Sequence, residues 1–440
     1  MRLRTVYLDA DTPSAIQSVI SRESSLFGED VDRAVRKIFD QVKSFGESAL
    51  LEYTRQFDAP NLESIRVTAE EIEAANVPAE VADAIEVAHV RIRRFHEEQL
   101  RVATSGYERD AVWSWSFEEE NGSRIGQRLI PIRRVGVYVP GGKASYPSSV
   151  LMNCVPALVA GVESLAVCCP PGGDGRLPDA VLYCCKLLGV DEVYKLGGAQ
   201  AIAAMALGVG MRRVDKVIGP GNAYVNAAKR MVWGLVGLDS YAGPSEACIV
   251  ADEGAHPAWV AADLLTQLEH SADTVGFVLC TSEERLQEIQ AEVLSQVEAA
   301  ERRGLLEAAL RDHAAFFLCR DLEEACDLAN QIAPEHLSLM VREPERWAQR
   351  IERAGCLYLG DWTPQALGDY VIGPSHTLPT ARAARFASPL NVLEFFRLMS
   401  VSRLSKEAME PLAEAAATLA RAEGLPAHAR GACSRLAEQE

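Results

Sequence analysis

Residues 135–139, VGVYV, form a short apolar run that ends in a Pro-Gly-Gly turn and leads into the small-residue segment 148–161, SSVLMNCVPALVAG. The same order of strand, glycine turn and helix returns in three further segments, which are 164–189, 192–208 and 215–234. Strands that alternate with helices in this way are typical of a parallel sheet wound with helices. The sequence therefore predicts an α/β fold.

A second series of strand and helix patterns begins at Glu246. Its apolar runs are 246–252, 274–280, 314–320, 336–341 and 356–362. Two such series predict two Rossmann-like lobes with parallel-rich sheets and a cleft between them. We expect four parts, which are a helical N-terminal arm over 1–30, a first lobe over 31–137 and 246–389, a second lobe over 138–245, and a small helical C-terminal tail domain over 390–440.

Composition narrows the class of partner. The 440 residues include 62 acidic and 44 basic side chains, which gives a formal net charge of −18. Nucleic acid and anionic membranes require a basic face, so we expect neither as a partner. The N-terminus lacks the apolar core of a signal peptide, and no segment reaches the roughly 20 apolar residues of a membrane span. The 11 cysteines lack zinc-type CxxC spacing, so we interpret them as core residues of a cytoplasmic protein.

The pair Glu335-His336 places a carboxylate next to an imidazole, directly after Ala333-Pro334. Two such neighbours can divide two proton transfers, one from an alcohol and one from a water. The alternative is a helix-to-strand corner with both side chains in water. The residues alone leave both interpretations open.

Candidate metal ligands lie on the predicted helix WVAADLLTQLEH, where Asp263, Gln267 and His270 share one stripe at i, i+4 and i+7. Imidazole and carboxylate suit zinc or another first-row ion, but a solvated polar face fits the same pattern. Asp369 follows a predicted strand end, where α/β folds collect active-site groups, or it is a turn residue. His376 lies in a loop rich in Pro and Gly and is either a site residue or an exposed histidine.

Three glycine turns follow predicted strands, but none has the GxGxxG fingerprint. They are Gly141-Gly142, Gly197-Gly198 and Gly219-Pro220-Gly221-Asn222. A glycine turn at a helix N-terminus can present backbone N–H groups to a pyrophosphate. It can equally be a tight turn of any α/β fold, and the pattern does not decide between the two.

Taken together, an ordered set of motifs resembles the histidinol dehydrogenase family over nearly the whole chain. The motifs are YTRQFD (53–58), RVGVYVPGGKASYPSSVLMN (134–153), LGGAQAIAA (196–204), VDKVIGPGNAYV (214–225), YAGPSEA (241–247), DLLTQLEH (263–270), APEHL (333–337), GDYVIGPSHTLPT (368–380) and EGLPAH (423–428). The resemblance implies a zinc-dependent, NAD-linked homodimer with active sites shared between subunits. It implies oxidation of L-histidinol to L-histidine through L-histidinaldehyde with two NAD, as the last steps of histidine biosynthesis.

The resemblance also implies the site residues, matched motif by motif. Zinc would be bound by Gln267, His270 and Asp369 together with the partner subunit's His428. Glu335 would activate the water that hydrates the aldehyde, and His336 would be the general base in contact with the substrate. The remaining substrate-binding positions are Ser245, His376 and Glu423, and the positions facing NAD are Tyr138, Gln200 and Asn222. This family binds NAD without the GxGxxG fingerprint.

The chain departs from the family pattern around the implied substrate pocket. Ser375 stands where Asn commonly precedes the histidine, Thr377 replaces a usual Val, and Ala381-Arg382 replaces a Gly-rich pair. These departures keep open a paralogous zinc and NAD dehydrogenase that acts on another small amino or sulfo alcohol. Glu423 and His428 favour histidinol, because its amine and imidazole need an anion and a metal to hold them.

The same features bear on two other classes of protein, a zinc hydrolase and a non-enzymatic scaffold. A zinc hydrolase using Glu335 needs no cofactor lobe, and the four strand-turn-helix units count against it. A non-enzymatic metal or dimer scaffold needs no Glu335-His336 pair, so the presence of this pair counts against it.

Overall fold

The computed structural model describes residues 3–7, 28–107, 112–141, 145–240 and 243–436. Most of the predicted arm over 1–30, and Gly142 of the first glycine turn, lie outside them. The chain divides into two compact units, which are Met1–Leu100 with Ile132–Phe395, and Arg101–Pro131 with Phe396–Glu440.

The strands are β1 Thr5–Tyr7, β2 Trp115–Glu118, β3 Arg124–Pro131, β4 Arg134–Tyr138, β5 Ser164–Cys169, β6 Glu192–Lys195, β7 Lys216–Ile218, β8 Gly237–Leu238, β9 Glu246–Ala251, β10 Val275–Cys280, β11 Ala314–Leu318, β12 His336–Met340, β13 Cys356–Leu359 and β14 Phe396–Arg403. The helices are α1 Glu29–Phe45, α2 Glu47–Phe57, α3 Ala69–Ala74, α4 Ala79–Ala103, α5 Pro147–Val159, α6 Asp179–Leu187, α7 Gly198–Leu207, α8 Ala223–Val232, α9 Pro257–Leu268, α10 Glu283–Ala299, α11 Arg303–His313, α12 Leu322–Ile332, α13 Pro344–Ala348, α14 Gln365–Tyr370, α15 Lys406–Ala422 and α16 Pro426–Cys433.

A five-stranded parallel sheet, in the order β6-β5-β4-β7-β8, forms one half of the first unit. All five residues of its central strand β4 are buried, as the continuous apolar run requires for a strand covered by helices on both faces. The strand order reverses direction between β4 and β7. Such a switch point opens a crevice at the carboxyl ends of the strands.

A six-stranded parallel sheet, in the order β1-β11-β10-β9-β12-β13, forms the other half of the first unit. Apart from the added edge strand β1, its winding repeats that of the five-stranded sheet, with the reversal between β9 and β12. Two sheets wound in this way confirm the predicted α/β class with two Rossmann-like lobes. Strand β1 stands where the sequence predicted part of a helical arm.

Helices α1 and α2 pack on the five-stranded sheet's side of the unit. Val35, Phe39 and Leu50 share a core with Met205 and Val217. The sequence grouped these helices with the other lobe. An amphipathic pattern shows that one helix face is buried, but it does not show which sheet covers that face.

The second unit is built on a three-stranded antiparallel sheet in the order β14-β3-β2. Helices α15 and α16 follow β14, so the tail begins with a strand where the sequence predicted helix alone. Strand β14 is mostly exposed and pairs with β3 from a distant part of the sequence. Its own residues therefore carry little hydrophobic pattern from which a strand could be predicted.

All eleven cysteines carry free thiols, and nine of them are buried. This placement agrees with their interpretation as core residues. In the part of the chain that the structure describes, no helix combines the length and apolar character needed to cross a membrane.

Candidate active site

A cavity of about 250 Å³ opens in the first unit. Pro140 and Pro220 line it just past the carboxyl ends of β4 and β7, and Ser245 and His336 line it at the amino ends of β9 and β12. The five-stranded sheet thus contributes its carboxyl edge, as expected for a Rossmann-like lobe. The six-stranded sheet contributes its amino edge. This differs from the expectation, based on Asp369 following a predicted strand end, that the active site lies at the carboxyl ends of the strands.

Eight of the implied site residues line this cavity, and they are Asn222, Ser245, Gln267, His270, Glu335, His336, Asp369 and His376. Tyr138 and Gln200 are buried, with 4% and 1% of their surface exposed. Glu423 follows the last residue of α15, and His428 is the third residue of α16. Both belong to the second unit.

Asp369, on the short helix α14, joins three other side chains. Gln267 Nε2 donates to Asp369 Oδ2 at 2.9 Å, and His336 Nε2 lies 3.3 Å from Asp369 Oδ1. His376 Nδ1 lies 2.7 Å from the Asp369 carbonyl oxygen. Burial acts to raise the pKa of Asp369, but the hydrogen bond and charge of His336 outweigh it and hold the pKa below its usual value. Asp369 is therefore ionised.

Glu335 and His336 are buried side chains held by the backbone of Glu246. The Glu246 N–H donates to Glu335 Oε2 at 2.9 Å, and His336 Nδ1 lies 3.2 Å from the Glu246 carbonyl oxygen. Burial acts to lower the pKa of His336, but the carboxylates of Glu335 and Asp369 outweigh it and raise the pKa well above its usual value. The alternative of a corner with both side chains in water is wrong, since they are 6% and 2% exposed.

Helix α9 ends at Leu268, two residues before His270, which is the last residue of the predicted stripe. His270 therefore lies in the turn after the helix, where its backbone N–H donates to the Gln267 carbonyl oxygen at 3.2 Å. It still lines the cavity beside Gln267. Asp263, the third residue of the stripe, is buried and bonds Ser338 instead.

The donors in the cavity fit a metal ion of the zinc type. In the described part of the chain, Gln267 Oε1 is a buried amide oxygen without a hydrogen-bond partner, and such an atom costs about 1–3 kcal/mol unless something binds it. No group of three His, Cys, Asp or Glu side chains among the described residues is arranged for a metal. The available set is instead an amide oxygen, the His270 imidazole and the Asp369 carboxylate, which leaves a fourth ligand to be supplied.

The glycine turns of the other lobe use their own N–H groups. The Gly198 N–H donates to the Tyr138 hydroxyl at 3.1 Å, and the Gly219 N–H donates to Asp239 Oδ2 at 2.7 Å. Lys229 Nζ bonds both the Gly219 carbonyl oxygen and Asp239 Oδ1. Because these two N–H groups already donate to protein atoms, they are not available to bind a pyrophosphate. Gly198 and Gly219 therefore fit the interpretation as tight turns better than that as an anion-binding site.

The Lys229–Asp239 pair, in which Lys229 is fully buried, was not predicted from the sequence. The lysine inside the small-residue helix AYVNAAKRMV is the sequence feature that could have indicated this buried pair. Asn222 caps the same helix, because its Oδ1 accepts the N–H groups of Tyr224 and Val225 at 3.0 and 3.1 Å. Asn222 remains exposed to the cavity.

The departures from the family pattern have structural counterparts. The buried Ser375 hydroxyl donates to the Met152 carbonyl oxygen at 3.3 Å, whereas Thr377 lines the cavity. Ala381 and Arg382 have φ values of 51° and 65°. Glycine adopts this left-handed conformation without steric cost, which agrees with the Gly-rich pair that the family resemblance implies at these positions.

A family model described as histidinol dehydrogenase matches residues 21–436. The chain is 43% identical to the histidinol dehydrogenase of Heliobacterium mobile, over 94% of this chain and 96% of that protein. It is 42% identical to that of Dechloromonas aromatica (strain RCB), over 99% and 98%. The crystal structure of histidinol dehydrogenase from Elizabethkingia anophelis superposes with a TM-score of 0.90 at 34% identity, over 99% of this chain and 98% of that one.

Proposed function

We propose that the chain converts L-histidinol to L-histidine through L-histidinaldehyde, because it belongs to the histidinol dehydrogenase family. Members of this family are oxidoreductases that act on histidinol in histidine biosynthesis. The reaction consumes two NAD and uses one zinc ion per active centre. Convergence of Gln267, His336 and Asp369 in one cavity is the main support for this chemistry.

Gln267, His270 and Asp369 would hold the zinc, with the partner subunit's His428 as the fourth ligand. When bound, the ion supplies positive charge that holds the nitrogens of the substrate and offsets the negative charge of Asp369 beside His336. Amide oxygen, imidazole and carboxylate are all permitted donors for such an ion.

His336 accepts the proton of the substrate hydroxyl in this proposal. Its Nδ1 faces the Glu246 carbonyl oxygen at 3.2 Å, so Nδ1 carries a hydrogen. Nε2, which lies 3.3 Å from Asp369 Oδ1, would be the accepting nitrogen when a bound zinc ion offsets the charge of Asp369. The carboxylates of Glu335 and Asp369 stabilise the imidazolium that forms. Loss of the hydroxyl proton assists hydride departure from the same carbon to NAD.

Glu335 activates the water that hydrates the aldehyde. The Glu246 N–H fixes one oxygen of this carboxylate at 2.9 Å, and the side chain lines the cavity. The hydrated aldehyde then gives up the second hydride. Holding the aldehyde in the cavity protects a reactive intermediate from side reactions.

Ser245 and His376 line the same cavity and are assigned to substrate binding together with His336. Glu423 is assigned the same role; it precedes His428 in the segment EGLPAH. A cavity of about 250 Å³ is small for a cofactor, because drug-sized ligands occupy about 300–1,000 Å³. It suits a small amino alcohol, with NAD entering by its reactive end.

NAD is assigned to the switch point of the five-stranded sheet, between β4 and β7. Asn222 is exposed there and lines the cavity. Tyr138 and Gln200 are the other positions assigned to NAD; both are buried, and the Tyr138 hydroxyl accepts the Gly198 N–H. The eleven free thiols fit the reducing cytoplasm, in which we place the homodimer.

A limiting amount of L-histidinol with excess NAD tests the function. We expect two NADH per histidinol consumed and little free aldehyde, because the intermediate stays bound between the two oxidations. Absorbance of NADH and trapping of free aldehyde measure both quantities. One NADH per histidinol with aldehyde as the end product would reject the four-electron reaction, and faster turnover of another small amino or sulfo alcohol would reject histidinol as the substrate.

Mixing inactive subunits tests whether active sites are shared. His428→Ala and Glu335→Gln chains should regain activity as heterodimers, because one of the two sites then contains both intact groups. The matched control mixes Glu335→Gln with His336→Ala, whose lesions lie on the same unit of one subunit, and should show no recovery. Absence of recovery in the first mixture, despite demonstrated subunit exchange, contradicts a shared site.

A further inference from the structure

A buried polar cluster connects the three elements that carry the cavity's metal-type residues. It consists of Asp263 on α9, Ser338 on β12 and Gln365 on α14, which are 3%, 1% and 0% exposed. The described residues that line the cavity include none of these three. We call this cluster the lower layer.

The members of the lower layer bond one another. The Ser338 hydroxyl donates to Asp263 Oδ2 at 3.2 Å, and Gln365 Nε2 donates to Ser338 Oγ at 3.0 Å. The backbone nitrogen of Gln365 lies 3.4 Å from each carboxylate oxygen of Asp263. Gln365 is the first residue of α14, and Pro364 before it offers no side-chain cap. The Asp263 carboxylate therefore takes the place of a cap.

A second set of contacts joins the same elements at the cavity. Gln267 on α9 and His336 on β12 both contact Asp369 on α14, and we call these three residues the upper layer. Each lower-layer residue has an upper-layer residue on its own element, and the pairs are Asp263 with Gln267, Ser338 with His336, and Gln365 with Asp369. Residues four apart on a helix, or two apart on a strand, lie on the same face. The lower layer therefore repeats the connections of the upper layer next to it.

We propose that Asp263 is a positioning residue, which holds Asp369 in place against Gln267 and His336 and so sets the affinity of the metal site. This inference rests on the proposed function, because it presupposes the metal. Asp263 is not among the described residues that line the cavity, and it acts through α14. Without its carboxylate, the first turn of α14 loses its cap and Asp369 loses a fixed position.

Zinc affinity of the metal-free, full-length protein is the test, measured by competition with a chromophoric chelator. In Asp263→Asn, one side-chain oxygen becomes an N–H donor that faces the Ser338 hydroxyl or the Gln365 N–H. We expect zinc affinity to fall by about tenfold or more, as for other groups that orient metal ligands. The visible spectrum of bound cobalt(II) should change as well, because the ligand geometry changes.

A purely structural role predicts a different outcome. Burial raises the pKa of Asp263 to about 6, so its ionised form costs folding free energy at pH 7.5, and removing that charge offsets part of the lost hydrogen bonding. We therefore expect a small change in Tm beside a large change in zinc affinity. A large loss of Tm with wild-type zinc affinity would overturn the positioning role.

Asp252→Asn is the matched control. Asp252 is also buried in this lobe and accepts the N–H groups of Gly254 and Arg342 at 2.8 and 2.7 Å, at the far end of β9 from the cavity. Its zinc affinity should equal that of the wild type. An equal fall in both variants would overturn the assignment to Asp263, since any buried carboxylate of the lobe would then have the same effect.

Ser338→Ala supplies a second variant if Asp263→Asn does not fold, because it removes the hydroxyl that joins Asp263 to Gln365. A smaller fall in zinc affinity is expected, because the Asp263 carboxylate still lies 3.4 Å from the Gln365 backbone nitrogen, and wild-type affinity there overturns the proposal. Normal zinc binding by the wild type and by both variants rejects the positioning role alone. No zinc binding by the wild type rejects the metal site of the proposed function as well.

Discussion

His336→Ala is expected to lose about 10²- to 10⁴-fold in the rates of both oxidations, which is the usual loss for a general base. The imidazole is the group that accepts the hydroxyl proton, and both hydride transfers start from a hydroxyl. Glu335→Gln is expected to slow the conversion of aldehyde to acid more than the first hydride transfer. Single-turnover measurements starting from L-histidinol and from L-histidinaldehyde separate the two steps.

The contrast between these neighbouring residues depends on folded variants. Both side chains are buried, so the Tm of each variant must be measured beside its rates. His313→Ala is the control, because His313 is exposed at the end of α11 and its loss should leave both rates unchanged. Equal losses in both oxidations for Glu335→Gln would contradict a separate role in water activation.

The fold could be predicted from the sequence where local pattern and burial agree. The run VGVYV forms the central strand β4, and the glycine turns and helices after it follow in the expected order. Glu335, His336, Gln267, His270 and Asp369 were selected from separate segments, and the structure brings them to one cavity. Their residue types in polar, glycine-punctuated segments marked them as candidates, and the family resemblance supplied their roles.

The edge of the sheet at which they meet could not be predicted. The carboxyl-edge rule holds for the five-stranded sheet, but His336 is the first residue of β12 and Glu246 the first of β9. The sequence shows where a strand begins, but not which strand ends face the neighbouring lobe. That arrangement depends on packing between the two sheets.

Contacts made by the backbone were also invisible in the sequence. The N–H and carbonyl groups of Glu246 hold Glu335 and His336, and any residue type carries those groups. The partner of β14 was missed for a related reason, because its pairing with β3 is set by chain path and not by local composition. Side-chain type predicts chemistry better than it predicts the geometry that positions it.

The second large effect is expected from the metal ligands. His270→Ala should bind well below one zinc per subunit, and prolonged chelation of the wild type should abolish turnover, with recovery when zinc is restored. His270 is the variant of choice because it lies exposed in the turn after α9, so its removal disturbs the core least. Metal analysis of the purified protein and the rate of NADH formation with L-histidinol measure the two effects.

His256→Ala is the control for this prediction, since His256 is exposed at the opposite end of the same helix, where it stacks on Trp259. It should retain full zinc content and full activity. His270 lines the cavity beside Asp369 and Gln267, whose buried Oε1 has no hydrogen-bond partner among the described residues. Full zinc occupancy with full activity in His270→Ala would therefore reject the ligand set, and with it the reason for the convergence of Gln267 and Asp369.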